Sequence, residues 1–179
     1  MKQIQILTIE QFSQIYQQHI IYDFPENERR PLENIRWLMQ EGQYLALGYY
    51  GKQCLLGYAT LYQSNHIDLL DYFAIVKDYR NQHLGTTFLN ELLAQYKNKP
   101  LLLEVENPQI EPTPQKTRRM DFYLRQHLIP LNINIYLFFV NYTLLANQPL
   151  TLQEIQTFYA NLYQEPLYSQ YIQFQKDEI

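Results

Sequence analysis

The segment from Leu70 to Leu93 constrains the fold of this chain more than any other. An apolar, aromatic run, Leu69 to Val76, has the composition of a strand and breaks into a short polar turn. A helix is then expected from about Leu84, with Phe88, Leu89, Leu92, Leu93 and Tyr96 at helical spacing. A strand ending in a turn whose amides open a helix is a ready anion cradle. Lys77 and Arg80 stand beside this one. The plainer reading is one more strand–loop–helix unit of an α/β domain.

With 179 residues, 46% hydrophobic and 18% charged, the chain suits a single soluble globular domain. Its formal charge of −4 and lack of a basic block argue against a nucleic-acid surface. The one cysteine, Cys54, excludes an internal disulfide and a cysteine-based metal cluster. Its apolar neighbours predict a buried structural thiol, and no metal site is expected. The N-terminus has polar residues where a signal peptide needs an apolar core. No apolar run approaches the roughly 18 residues of a membrane helix. A cytoplasmic protein without membrane attachment is expected. The 17 tyrosines read as composition, half-buried at sheet faces and pocket walls.

Gln3 to Ile9 alternates as a short strand. Thr8 and Gln11 form a capping box for a helix with Phe12, Ile15, Tyr16, His19 and Ile20 on one face. After the charged, proline-bearing stretch 23–31, a second helix spans Leu32 to Gln40. A β-hairpin follows over 43–62, turning at Gly51-Lys52. Beyond the Leu70–Leu93 segment come a strand at Leu101 to Glu106, a helix at Thr117 to His127, and strands at 132–140 and 142–146. Thr151 and Glu154 cap a last helix, and the tail from Gln164 reads as a loosely docked extension. The order β-α-α-β-β-β-α-β-α-β-β-α predicts an α+β (mixed α/β) fold.

Three segments together resemble the GNAT acyl-CoA N-acyltransferases. Leu70 to Val76 resembles that family's fourth strand, and Arg80-Asn-Gln-His-Leu-Gly85 its pyrophosphate loop, Arg/Gln-x-x-Gly-x-Gly/Ala. Leu103-Glu-Val-Glu-Asn-Pro108 resembles the fifth strand, and Phe122-Tyr123 the Phe-Tyr pair of the helix that follows. The likeness covers about residues 44–140. His83 stands where the loop's first glycine is usual, and Leu128-Ile129 replaces Gly-Phe.

The resemblance implies one GNAT-like domain over 1–179, with a core to about residue 147 and a C-terminal helix and tail at 148–179. It implies a mostly antiparallel mixed sheet whose fourth and fifth strands splay. The co-substrate would be acetyl-CoA, its pantetheine along Phe73, Ala74 and Ile75. Its pyrophosphate would lie on the amides of Asn81, Gln82, His83, Leu84, Gly85 and Thr86, with Arg80 and Lys77 adding charge. Lys77 and Arg80 also read as solvated loop cations. Asn107 would bond the cofactor or a positioned water, or else shape the turn before Pro108.

Acyl transfer to an amine needs placement, removal of a proton from the amine, and a proton for the thiolate. Tyr123 is the candidate acid, since a phenol is protonated at neutral pH; alternatively it only packs. Asp71, Glu104 and Glu106 are the candidate bases, or structural partners of Arg118, Arg119 or Arg125. Glu26 and Glu28 lie where such enzymes admit the acceptor, or are simply solvated. The acceptor is expected to be a small-molecule or peptide amine, and a homodimer through the late strands is compatible with the pattern. The rival reading is a non-catalytic acyl-CoA-binding or regulatory module on the same fold, which His83 favours.

Overall fold

The computed structural model describes residues 2–110 and 112–176. The chain divides into two compact units, Met1–Lys97 and Asn98–Ile179. The strands pair mostly antiparallel, and helices accompany them in both units, so the protein is of the α+β class.

In the first unit, β1 (Lys2–Ile6), β2 (Tyr44–Gly51), β3 (Cys54–Tyr62) and β4 (Asp68–Ile75) form a consecutive antiparallel run. Helix α1 (Ile9–Ile15) starts on the expected capping box of Thr8 and Gln11. It runs through one π-helical turn, Tyr16–Ile20, into the short α2 (Ile21–Asp23). Phe12, Ile15, Tyr16 and Ile20 are buried, as their spacing predicted. Helix α3 spans Leu32–Gln40, and α4 spans Leu84–Leu93. Helix α4 ends at Leu93 with the cap Ala94, short of Tyr96, which the expected spacing includes and which is buried. Its buried face is Leu84, Phe88, Leu89 and Leu92. Phe88 stacks on Tyr49 at 4.7 Å and meets Phe73 of β4 at 5.1 Å, which ties α4 to β2 and β4.

The hairpin turns at Lys52 and Gln53, both at positive φ, one residue later than Gly51-Lys52. A two-residue turn with both φ positive matches the right-handed twist of the strands. Cys54, at the start of β3 beside this turn, is exposed. The expectation of a buried thiol is therefore corrected: the strand's first residue lies outside the packed part of the ladder.

The second unit pairs β5 (Leu101–Glu106) with β7 (Val140–Ala146), β7 with β6 (Ile129–Leu137), and β6 with β8 (Ile172–Lys176). Helix α5 (Pro114–Arg125) begins three residues before the expected Thr117, because Thr113 caps Lys116 and Pro114 occupies the first turn. His127, at φ 62°, provides the left-handed residue after the helix that a glycine would ordinarily supply. Helix α6 (Leu152–Tyr163) opens on the predicted Thr151–Glu154 box. The Thr151 hydroxyl and amide hold the Glu154 carboxyl below its ordinary range. The tail is not a loose extension, because α7 (Leu167–Tyr171) and β8 complete this unit. β8 alternates Ile172 and Phe174 with Gln173 and Gln175, and Phe174 packs against Tyr159 at 5.7 Å.

Candidate functional site

In the first unit, β4 leads through a 3-10 turn, Lys77–Tyr79, into the segment Arg80–His83 and then α4. Asn81 and His83 both sit in the left-handed region, at φ 62° and 57°. His83 is the N-cap of α4, and its carbonyl accepts from the Thr87 amide at 3.2 Å. The chain thus makes at His83 the backbone turn for which glycine is usual, with an imidazole attached. Helix geometry leaves the amides of Leu84, Gly85 and Thr86 without acceptors in their own helix. Asn81, Gln82 and His83 are exposed beside them. Free amides at a helix start beside an exposed turn are the geometry that the expected anion cradle requires.

Arg80 does not stand free in this loop. Its Nη2 meets Asp23 Oδ1 at 2.5 Å, and its Nε donates to the Ile75 carbonyl at 2.8 Å. Asp23 also accepts from the Tyr58 hydroxyl at 2.8 Å. Lys77 is exposed. Phe73, Ala74 and Ile75 are half-buried at the end of β4, opposite Ala59, Tyr58 and Gly57 of β3.

Asp71 lies at a bulge. Thr60 faces Tyr72 and Leu61 faces Leu70, so Asp71 is the extra residue of β4. The Thr60 hydroxyl accepts from the Tyr72 amide at 3.1 Å, mending the ladder there. Asp71 accepts from Arg30 Nε at 2.9 Å and from the Tyr44 hydroxyl at 2.5 Å. The adjacent Tyr72 hydroxyl accepts from the Arg30 amide at 2.7 Å, so neighbouring side chains of β4 converge on Arg30. Burial, aided by Asp71, pushes the Tyr44 phenol well above its ordinary range.

In the second unit, Glu104 accepts from the Tyr159 hydroxyl at 2.6 Å. Glu106 pairs with Arg119 at 2.7 Å and Lys116 at 3.2 Å. The arginine pairing weighed for Glu106 therefore exists, with Lys116 added. Tyr123, on α5, is buried, and desolvation pushes its phenol up to about 12 while Arg119 pulls the other way. It is protonated at neutral pH. Asn107 is buried, donates to Asn134 Oδ1 at 3.2 Å, and accepts from the Gln109 amide at 2.8 Å. That last bond is the turn-forming role.

Arg30, Tyr44, Asp23 and Tyr159 are among the residues of these networks that went unnoticed in the sequence. Arg30 is 41 residues from Asp71, Tyr44 is 27 from Asp71, Arg80 is 57 from Asp23, and Tyr159 is 55 from Glu104. No local pattern announces such pairs. Among the described residues no cluster of three or more His, Cys, Asp or Glu is arranged to hold a metal ion. No described helix is long and apolar enough to cross a membrane.

The loop-and-helix geometry and the Phe-Tyr helix define a class. The acetyltransferase (GNAT) family model matches residues 7–125, and the chain belongs to that family. Its particular relatives are diverse. A Bacillus subtilis (strain 168) protein named "Putative acetyltransferase YjbC" is 33% identical over 104 residues, 58% of this chain and 51% of that one. The chain thus spans about half the length of the curated relative it matches. Among solved structures, a GNAT-family protein of Bacteroides thetaiotaomicron aligns with TM-score 0.70 and 20% identity, covering 93% of this chain and 98% of that one. A GNAT-family acetyltransferase of Elizabethkingia anophelis, solved with acetyl-CoA bound, aligns with TM-score 0.58 and 16% identity over 81% and 96% of the two chains. The ribosomal-protein-S18-alanine N-acetyltransferase of Escherichia coli aligns with TM-score 0.61 and 18% identity over 82% and 92%. These likenesses share the fold.

Proposed function

We propose that the protein is an acetyl-CoA-dependent N-acetyltransferase that moves the acetyl group directly to an acceptor amine. The observation that carries the reading is the turn before α4, where Asn81 and His83 adopt left-handed backbone and α4 begins with unsatisfied amides. On this reading, which family membership supports, the pyrophosphate of CoA lies on residues 81–86 and pantetheine along Phe73 to Ile75. Arg80 supplies charge to the phosphates after release from Asp23.

The acceptor nitrogen attacks the thioester carbonyl, the C–N bond forms, and the C–S bond breaks. Tyr123 gives its phenolic proton to the departing thiolate, and its raised pKa keeps that proton in place at neutral pH. The proton lost by the ammonium passes through water to one of Asp71, Glu104 and Glu106. No covalent enzyme intermediate is involved, and positioning supplies most of the rate.

The test has two readouts. Acetyl-CoA is expected to raise the melting temperature, and an amine panel is expected to release free thiol that a chromogenic disulfide detects. Stabilisation without thiol release for any amine would favour a non-catalytic acyl-CoA-binding module. No stabilisation by any CoA ester would refute both readings.

A further inference from the structure

Two carboxylates of the first unit are neutralised within it. Asp71 is paired with Arg30, and Asp23 with Arg80 and Tyr58. A cation is left over instead. Arg29 has no carboxylate in ion-pair range among the described residues, and its Nη1 reaches only the Ile21 carbonyl, at 3.4 Å. Its Nε is buried and has no hydrogen-bond partner. A half-buried guanidinium in this state is costly, because a desolvated charge is ordinarily paired.

The segment that carries Arg29 is nonetheless fixed. The Arg30 amide donates to Tyr72 Oη at 2.7 Å, Tyr16 Oη donates to the Arg30 carbonyl at 2.7 Å, and Arg30 Nε holds Asp71. Phe24 packs edge-on against Tyr72 at 4.8 Å. The charge of Arg29 is felt by the Tyr16 phenol. The backbone beside Arg29 is thus held at the residue that grips the β4 bulge, and Phe73 follows that bulge by two positions. An unpaired cation on a rigid support is what recognition of an anionic group requires.

We propose that Arg29 binds a carboxylate of the acceptor, and that the acceptor is therefore an amino acid or a related compound bearing a carboxylate near the acetylated amine. This rests on the N-acetyltransferase reading and names its substrate class. A guanidinium meets a carboxylate in a two-bond fork. One guanidinium balances one carboxylate, whereas a phosphate dianion would need the second cation, and Arg30 is already committed to Asp71. The Arg29 charge would then be paired only in the acceptor-bound protein.

The experiment compares L-amino acids with their carboxamides as acceptors, using thiol release from acetyl-CoA by the full chain. The acids are expected to exceed their amides in kcat/KM by about 10–100-fold, the worth of a charged hydrogen-bonded contact. Arg29→Met should bring that ratio to within a few-fold of one, and Arg29→Lys should restore part of it. Equal use of acids and amides, or O-phosphoethanolamine preferred over every amino acid, would overturn the proposal. A second readout needs no turnover. The Nε–H resonance of Arg29, assigned by its loss in Arg29→Lys, should shift when pooled amino acids are added and stay still with pooled amides. A shift without thiol release would leave the anion site standing and sink the transferase reading. A still resonance beside measurable turnover would do the reverse.

Discussion

Asn81 and His83 hold φ of 62° and 57° within one turn, a region that costs an L-residue about 1–2 kcal/mol each. His83→Gly removes that strain at the price of a more flexible unfolded chain, for a net gain of about 0.5–1 kcal/mol. Urea unfolding of the variant checks it, and a loss of stability would show that the imidazole makes contacts worth more than the strain. Tyr123 carries a different expectation. Tyr123→Phe should lower kcat by about 10²–10⁴-fold, the usual worth of a placed acid, while acetyl-CoA still raises the melting temperature. Turnover equal to the parent's would remove Tyr123 from the mechanism. At this scale the sequence was informative where chemistry is local. The proposed cradle from Arg80 to Thr86 is contiguous, and its turn is visible as a polar break between two apolar runs. The partners of the carboxylates were not visible. Arg30 reaches Asp71 across 41 residues, and no local pattern marks such a pair.

The β3–β4 pair is the element on which the proposed pantetheine path depends. Gly57 lies opposite Ile75, and a Cβ on it would come within 2.7 Å of the Ala74 carbonyl oxygen and 2.8 Å of Ile75 Cδ1. The first of these is backbone and cannot rotate away. Gly57→Ala must therefore push β4 outward at the residues that would carry the cofactor. A loss of about 1–3 kcal/mol in stability is expected, as for other overpacked sites, together with weaker acetyl-CoA binding by calorimetry. Unchanged affinity would place pantetheine elsewhere. Elements of this kind were largely legible, because alternation, capping boxes and turn residues act over a few positions. Helix α3 and strand β5 fall on their expected limits, and both capping boxes form. The missed strand has a definite cause. Strand β8 is short and rich in glutamine, and only its pairing with β6 and the contact of Phe174 with Tyr159 make it a strand. Such tertiary support leaves no periodic trace.

For the whole molecule, the abundance of tyrosine turns out to be structural and not a mere bias. Phenols donate to carboxylates at Tyr44–Asp71, Tyr58–Asp23, Tyr96–Asp68 and Tyr159–Glu104, over 2.5–2.9 Å. With 14 Lys and Arg against 18 Asp and Glu, the chain satisfies inward-facing carboxylates with neutral donors as well as with cations. Burial first, and the neighbouring carboxylate second, raise the phenols of Tyr44, Tyr58 and Tyr96; burial alone raises Tyr123, to about 12. A phenol raised in the folded state contributes stability that is complete below its unfolded value near 10 and is lost as pH climbs toward the folded value. Each such group then removes up to about 1.4 kcal/mol per pH unit above pH ~10. Denaturant unfolding should therefore give a stability independent of these groups from pH 7 to 9 and falling steeply from 10 to 11.5. Tyr58→Phe should make that fall shallower, because it removes one titrating phenol, while lowering stability at pH 7 through the donor lost from Asp23. A profile flat to pH 11.5 would mean that the phenol–carboxylate pairs do not persist in solution.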